Sequence, residues 1–168
     1  MRLWLMRAIY AVALFNILTV VRADDYNQWL ALMPKTMDGL SLSDKTSGMN
    51  SGTPDFQLGM LECIYGSNAR SIDILITTQP AAAAVAEATI KHNLNTTTDS
   101  LLFKKTKIEG ELATLTIDKT KNDATVSIYA KNKGLIVIAM KPKMDEGRAM
   151  AIVKQVPLKL ILAVMHGK

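Results

Sequence analysis

The sequence predicts an α+β domain, an antiparallel sheet of about six strands in the order β-β-α-β-β-β-β-α with packed helices. Three observations carry that prediction. Ile72, Ile74 and Ile76 alternate with Ser71, Asp73 and Leu75, the period of a strand with two different faces. The four apolar runs after residue 100 are joined by connections too short for anything but antiparallel neighbours. An alanine-rich stretch at 81–94 and an apolar C-terminus carry helical spacing instead.

The chain opens with Arg2 and Arg7 and no acid, followed by an apolar run from Ala8 to Val21 interrupted only by Asn16 and Thr19. Val21-Arg22-Ala23 then precedes the polar Asp24-Asp25-Tyr26-Asn27. This is the pattern of a secretory signal peptide cleaved after Ala23, and the run is short of the roughly 20 apolar residues a membrane span needs. The expected organisation is therefore 1–23 as a cleavable signal peptide and 24–168 as a single globular domain, whose part 24–55 is loop-rich. Cleavage would place the protein in the periplasm or outside the cell.

In that domain, Tyr26 to Met33 suits a short helix stopped by Pro34, and Asp38-Gly39 a turn before Leu40-Ser41-Leu42. Ser43 to Pro54 is a loop by composition. A hairpin is expected from Phe56 to Tyr65 and from Ser71 to Thr77 around Gly66-Ser67-Asn68. Thr77 or Thr78 can cap the next helix, with Pro80 in its first turn and Ala81 to Leu94 as its body. Glu87 and Lys91 make an i,i+4 pair on its outside.

After a polar loop at 95–99, strands are expected at Leu101–Lys107, Glu111–Asp118, Ala124–Ala130 and Leu135–Lys141, separated by turn-forming residues. Leu135 to Met140 is apolar on both faces, so that strand should be central. A helix from Asp145 to Gln155 is interrupted at Val156-Pro157 and resumes from Leu158 to Met165, too apolar for water and expected to dock on the sheet. In outline the order resembles Mog1/PsbP-like α/β/α domains, which implies helices on both faces of the sheet.

The 20 basic residues include Arg2, Arg7 and Arg22, so without 1–23 the chain holds 17 basic against its 15 acidic residues. Residues 24–100 carry 4 basic and 9 acidic side chains, and residues 101–168 carry 13 and 6. Lys104, Lys105, Lys107, Lys119 and Lys121, with Lys131, Lys133, Lys141 and Lys143, crowd the second half. Brought to one edge they would attract an anionic envelope component or an acidic protein. As separate residues they would keep sheet edges from pairing. Lysine without arginine or interleaved aromatics is a poor reader of nucleic acid, which is not an expected partner.

Motifs that would name an enzyme or a cofactor do not occur: no phosphate-binding glycine loop, no His-Glu-x-x-His, no Gly-x-Ser-x-Gly. Cys63 is the sole cysteine and suits a buried position in a strand, since a nucleophile needs a base that neither His92 nor His166 supplies by sequence proximity. Glu109 and Glu111, two apart, share a face and suit either a solvated hairpin end or an acid/base pair. Met33, Met37 and Met49 are soft Cu(I) ligands or core filler. Asn95-Thr96-Thr97 matches the glycosylation acceptor pattern. The sequence thus reads as an exported soluble binding or accessory module of the cell envelope. The alternative is an enzyme with a dispersed site or a methionine-based copper binder.

Overall fold

The computed structural model describes residues 25–53, 56–79, 84, 87, 88, 91, 95–131 and 133–167. The signal-peptide expectation and His92 lie outside the described residues, as does most of the helix expected at 81–94, of which Ala84, Glu87, Ala88 and Lys91 are helical. In chain order the elements are α1 (Asp25–Leu32), β1 (Thr36–Met37), β2 (Leu40–Ser41), β3 (Ser47–Thr53), β4 (Phe56–Ser67) and β5 (Arg70–Thr77). They continue with β6 (Thr96–Thr97), β7 (Leu101–Ile108), β8 (Glu111–Asp118), β9 (Asp123–Ala130), β10 (Gly134–Lys141), α2 (Glu146–Val153) and α3 (Leu158–His166).

The sheet is antiparallel throughout, in the order β3-β4-β5-β10-β9-β8-β7-β6, and β1 and β2 form a separate small hairpin. The expected α+β class holds, with eight strands in the main sheet where the sequence suggests six. The additional strands are β3 and β6, in stretches whose Ser, Gly, Asn and Thr content spells loop. Their extended form comes from pairing onto the outer edges of β4 and β7, so the tertiary ladder overrides local propensity. β10 is central, between β5 and β9.

Register lines up the core. Cys63, Ile74, Ile138, Val126 and Leu115 stand in one row across five strands, and all are buried. Leu61, Ile76, Ile136, Ile128 and Ala113 form a second row, and Tyr65, Ile72, Met140, Ala124 and Ile117 a third. We call this the inner face. It is closed by buried residues that precede and follow the sheet in sequence: Trp29 of α1, Met33, Met37, Ala149 and Ile152 of α2, and Ile161 and Leu162 of α3. The Tyr65 hydroxyl donates to the Pro34 carbonyl at 2.8 Å, fastening the segment after α1 to β4.

Local chemistry sets the helix ends. Asp145 caps α2, its carboxylate accepting from the Arg148 N–H at 2.7 Å. Pro157 precedes α3 and starts a second helix, and Gly167 closes it at φ +70°, where glycine is favoured. Leu158, Ile161, Leu162 and Met165 are buried, so the apolar C-terminus docks as its pattern requires; Leu160 stays outside. Among the described residues no single helix is long and apolar enough to cross a membrane; α2 and α3 reach that threshold only as a pair bent by 58°.

Candidate functional site

The opposite, outer face carries the alternate residues of the same strands, and its character is mixed. One row reads Glu62, Leu75, Val137, Ser127, Thr114, Lys105. The next begins Ile64, Asp73, Ala139, Thr125. Helical residues meet this face on the β9–β7 side: Glu87 accepts from the Tyr129 hydroxyl at 2.9 Å, and the Lys91 carbonyl accepts from Lys105 Nζ at 3.4 Å.

At the other end of this face lies a groove of about 490 Å³ lined by Ser43, Lys45, Ile64, Gly66, Ser67, Asn68, Ala69, Ser71, Asp73 and Lys141. Three strands build it by register. Lys141 of β10 stands opposite Ser71 of β5, and Ser71 opposite Gly66 of β4. Gly66 adopts φ +85°, and a Cβ there would run into the Arg70 carbonyl, so only glycine suits this bend at the end of β4. Ser71 is 3% exposed, and its hydroxyl donates to Asp73 Oδ2 at 3.3 Å; the Asp73 carboxylate is the acceptor in the groove lining.

Lys45 arrives from a turn. The Ser43 N–H donates to the Ile64 carbonyl at 2.7 Å, the Thr46 N–H to the Ser43 carbonyl at 3.2 Å, and the Lys45 N–H to the Ser43 hydroxyl at 3.1 Å. Those bonds hold the segment against the end of β4 and set Lys45 at the groove wall. Neither Lys45 nor Lys141 forms an ion pair among the described residues, whereas Lys91, Lys104 and Lys121 each do. Two unpaired ammonium groups against one carboxylate give the groove a positive balance, with hydroxyls and an amide between them.

A second, smaller concavity of about 340 Å³ opens at the β7–β8 turn, lined by Glu109, Glu111, Lys159, Leu162, Ala163 and His166. Glu109 and Gly110 take φ +51° and +84°, the backbone of a tight two-residue hairpin turn. His166 Nε2 lies 3.1 Å from Glu111 Oε1, and Glu111 Oε2 accepts from the Lys131 N–H at 3.3 Å. The carboxylate pair read from the sequence therefore has a histidine beside it. No local signal could show this, because His166 is 55 residues away from Glu111.

The five lysines of the expected patch are divided. Lys104 continues a core row and reaches Glu146 of α2 on the inner side, while its neighbour Lys105 faces outward. Lys107 shares the outward parity of Lys105 at the Glu111 end of β7. Lys119 and Lys121 belong to the opposite end, where Lys119 Nζ donates to the Thr98 carbonyl at 2.7 Å and Lys121 pairs with Asp118. Asp118 accepts from the Thr120 hydroxyl and two backbone N–H groups, which hold its pKa down to about 2.

Cys63 is buried, and burial, with the Glu62 charge next to it, pushes its thiol up to about 11. That is the state of an inert core thiol. The three methionines are not gathered into a donor set: Met33 and Met37 sit in the core, and Met49 is 42% exposed on the outer side of β3. Among the described residues no group of three or more His, Cys, Asp or Glu is placed to hold a metal ion. Asn95 is exposed, with its side-chain oxygen accepting the Lys105 N–H at 2.7 Å at the edge of β7. The chain matches no protein-family model, no curated protein and no solved structure, so geometry alone supports a functional reading.

Proposed function

We propose that the protein is an exported, non-enzymatic binding or accessory module of the cell envelope, and that its ligand is an anionic group seated in the groove between Lys45 and Lys141. The observation that carries this reading is that neither ammonium group has an ion-pair partner among the described residues, in a concavity whose wall also carries Ser43 and Ser71, their hydroxyls donating to Asp44 and Asp73. Lysine presents a compact point charge with rotatable donors, suited to a phosphate or carboxylate that need not be held bidentately. Asp73 supplies the acceptor that a hydroxyl-bearing ligand, such as an acidic sugar, would use. The leader at 1–23 supports the compartment, and N-terminal sequencing of the secreted form should read Asp24 first.

Calorimetric titration with inorganic pyrophosphate and with a uronic-acid oligosaccharide tests the groove and separates the two sources of anion. Saturable binding of either, weakened at least tenfold by K45E/K141E, is expected. Binding of neither at millimolar concentration, or binding indifferent to those substitutions, overturns the reading. An enzymatic reading has one observation in its favour, the Glu111–His166 pair in its own concavity, which has the contact distance of a base and its orienting carboxylate. Loss of a measured turnover in H166A with pyrophosphate binding intact would favour it.

A further inference from the structure

The chain gains residues beside β4 where the Lys45 groove forms. Leu42 bridges to Tyr65 and Ser47 pairs with Glu62, both on the side of β4 turned away from β5. Between those pairs β4 has two residues, Cys63 and Ile64, while the facing segment has four, Ser43 to Thr46. The surplus leaves the ladder as a bulge, closed by the Thr46 N–H on the Ser43 carbonyl, and Lys45 stands on it. Lys141 lies three strand spacings away along the order β3-β4-β5-β10, about 14 Å between main chains at about 4.8 Å each. The two ammonium groups therefore come to the groove from opposite sides.

What lies between them chiefly accepts hydrogen bonds. Asp73 is a carboxylate, and the Ser71 hydroxyl, whose proton goes to Asp73 Oδ2, has only lone pairs left for a ligand. Ser43 is in the same state, its proton directed to Asp44 Oδ1. An ionised phosphate or pyrophosphate also brings acceptors alone, so its oxygens are repelled by Asp73 and find no donor at Ser71. A uronic-acid oligosaccharide has one carboxylate on each sugar and ring hydroxyls between successive carboxylates. Such a ligand brings charge where the groove has lysine and donors where it has acceptors. The groove, at about 490 Å³, has the volume of a small-molecule site, and Ile64 in its lining offers apolar surface to the C–H face of a ring.

We infer that the groove selects an acidic oligosaccharide over a phosphate, with carboxylates of separate sugars on Lys45 and Lys141 and a ring hydroxyl between them donating to Asp73. This selectivity rests on the anion-binding role of the groove, and Asp73 is the residue that sets it. A buried or half-buried acceptor that is satisfied by one ligand and left facing another acceptor by its competitor discriminates more strongly than added contact area does.

Calorimetry of the wild type and of D73N, with trigalacturonate and with pyrophosphate, tests the selection. The wild type should bind trigalacturonate the more tightly of the two. D73N keeps the size of the side chain, removes its charge and exchanges one acceptor oxygen for a donor. Its affinity for trigalacturonate should fall roughly fivefold or more, and its affinity for pyrophosphate should rise roughly threefold or more. Opposite signs in one variant cannot come from a misfolded groove, and an unchanged circular dichroism spectrum verifies the fold. A wild type that prefers pyrophosphate, or any other pattern in D73N, overturns the selection by Asp73 while leaving the groove an anion site. Binding of neither ligand by the wild type overturns the anion-binding role itself, and the selection with it.

Discussion

Along β10, Ile136, Ile138 and Met140 are sealed beneath the layer that holds α1, α2 and α3, while Leu135, Val137, Ala139 and Lys141 of the same strand are only half-covered. The inner face is apolar and in register across five strands, with isoleucine its commonest residue. The outer face mixes Leu75 and Val137 with Glu62, Asp73, Ser127 and Lys105. Alternation gives every strand one residue type for cohesion and another for contact with the surroundings. The groove at Lys45 and Lys141 lies on the second face, where a ligand can reach polar groups without opening the core.

Paired truncations test the contrast most strongly. I138A removes a side chain in the middle of the best-packed row and should cost about 3 kcal/mol in urea unfolding, whereas V137A on the next residue should cost under about 1 kcal/mol. Equal losses would mean that the two faces are packed alike. Cys63 gives a chemical version of the same test. With its thiol at about 11 against an ordinary 9.0, the thiolate fraction at pH 8 is reduced about a hundredfold, before burial blocks access. A disulfide reagent at pH 8 should label the folded protein at least that much more slowly than the urea-unfolded one. Rapid labelling of the native state would show that the inner face opens readily.

The alternating faces were legible in the sequence; what the strands bring together was not. β8 falls at its expected limits, Glu111 to Asp118, because hydrophobic alternation and flanking turns act locally. β3 was unreadable because Ser47 to Thr53 has no alternation, and only the ladder offered by β4 extends it. The period of two also foretells that Lys104 and Lys105 diverge, so a patch read from adjacent lysines divides once the strand is real. Lys45, Asp73 and Lys141 come from three separate segments, and their meeting depends on the β4-β5-β10 strand order and on the registers Ile64 to Asp73 and Ser71 to Lys141. Such long-range pairings leave no local signature.

The smallest expected effect concerns how the inner layer is fastened. Asp38, in the β1–β2 turn, receives the Arg70 guanidinium at 2.7 Å and the Arg148 guanidinium at 3.0 Å, and its N–H donates to Gln155 Oε1 at 2.8 Å. One carboxylate thus ties the hairpin to the start of β5 and to α2. The hydrogen bond from Arg70, then that from Arg148, lowers its pKa below the ordinary 3.8 against an opposing desolvation. A carboxylate whose pKa is lowered by folding adds stability above its unfolded value and loses it as pH falls through the lowered native value. D38N should therefore cost about 1 kcal/mol at pH 7, the scale of a partly exposed charged hydrogen bond. The gap to wild type should close as the pH drops through and below the ordinary carboxylate range, where the native aspartate also becomes neutral. Urea midpoints of the two proteins at pH 7, 5, 4 and 3 read this directly. No gap at pH 7 would show that Asp38 holds the hairpin by its shape and its N–H, both of which asparagine keeps, and a gap that stays constant across the series would show that the charge of Asp38 has no part in fastening the inner face.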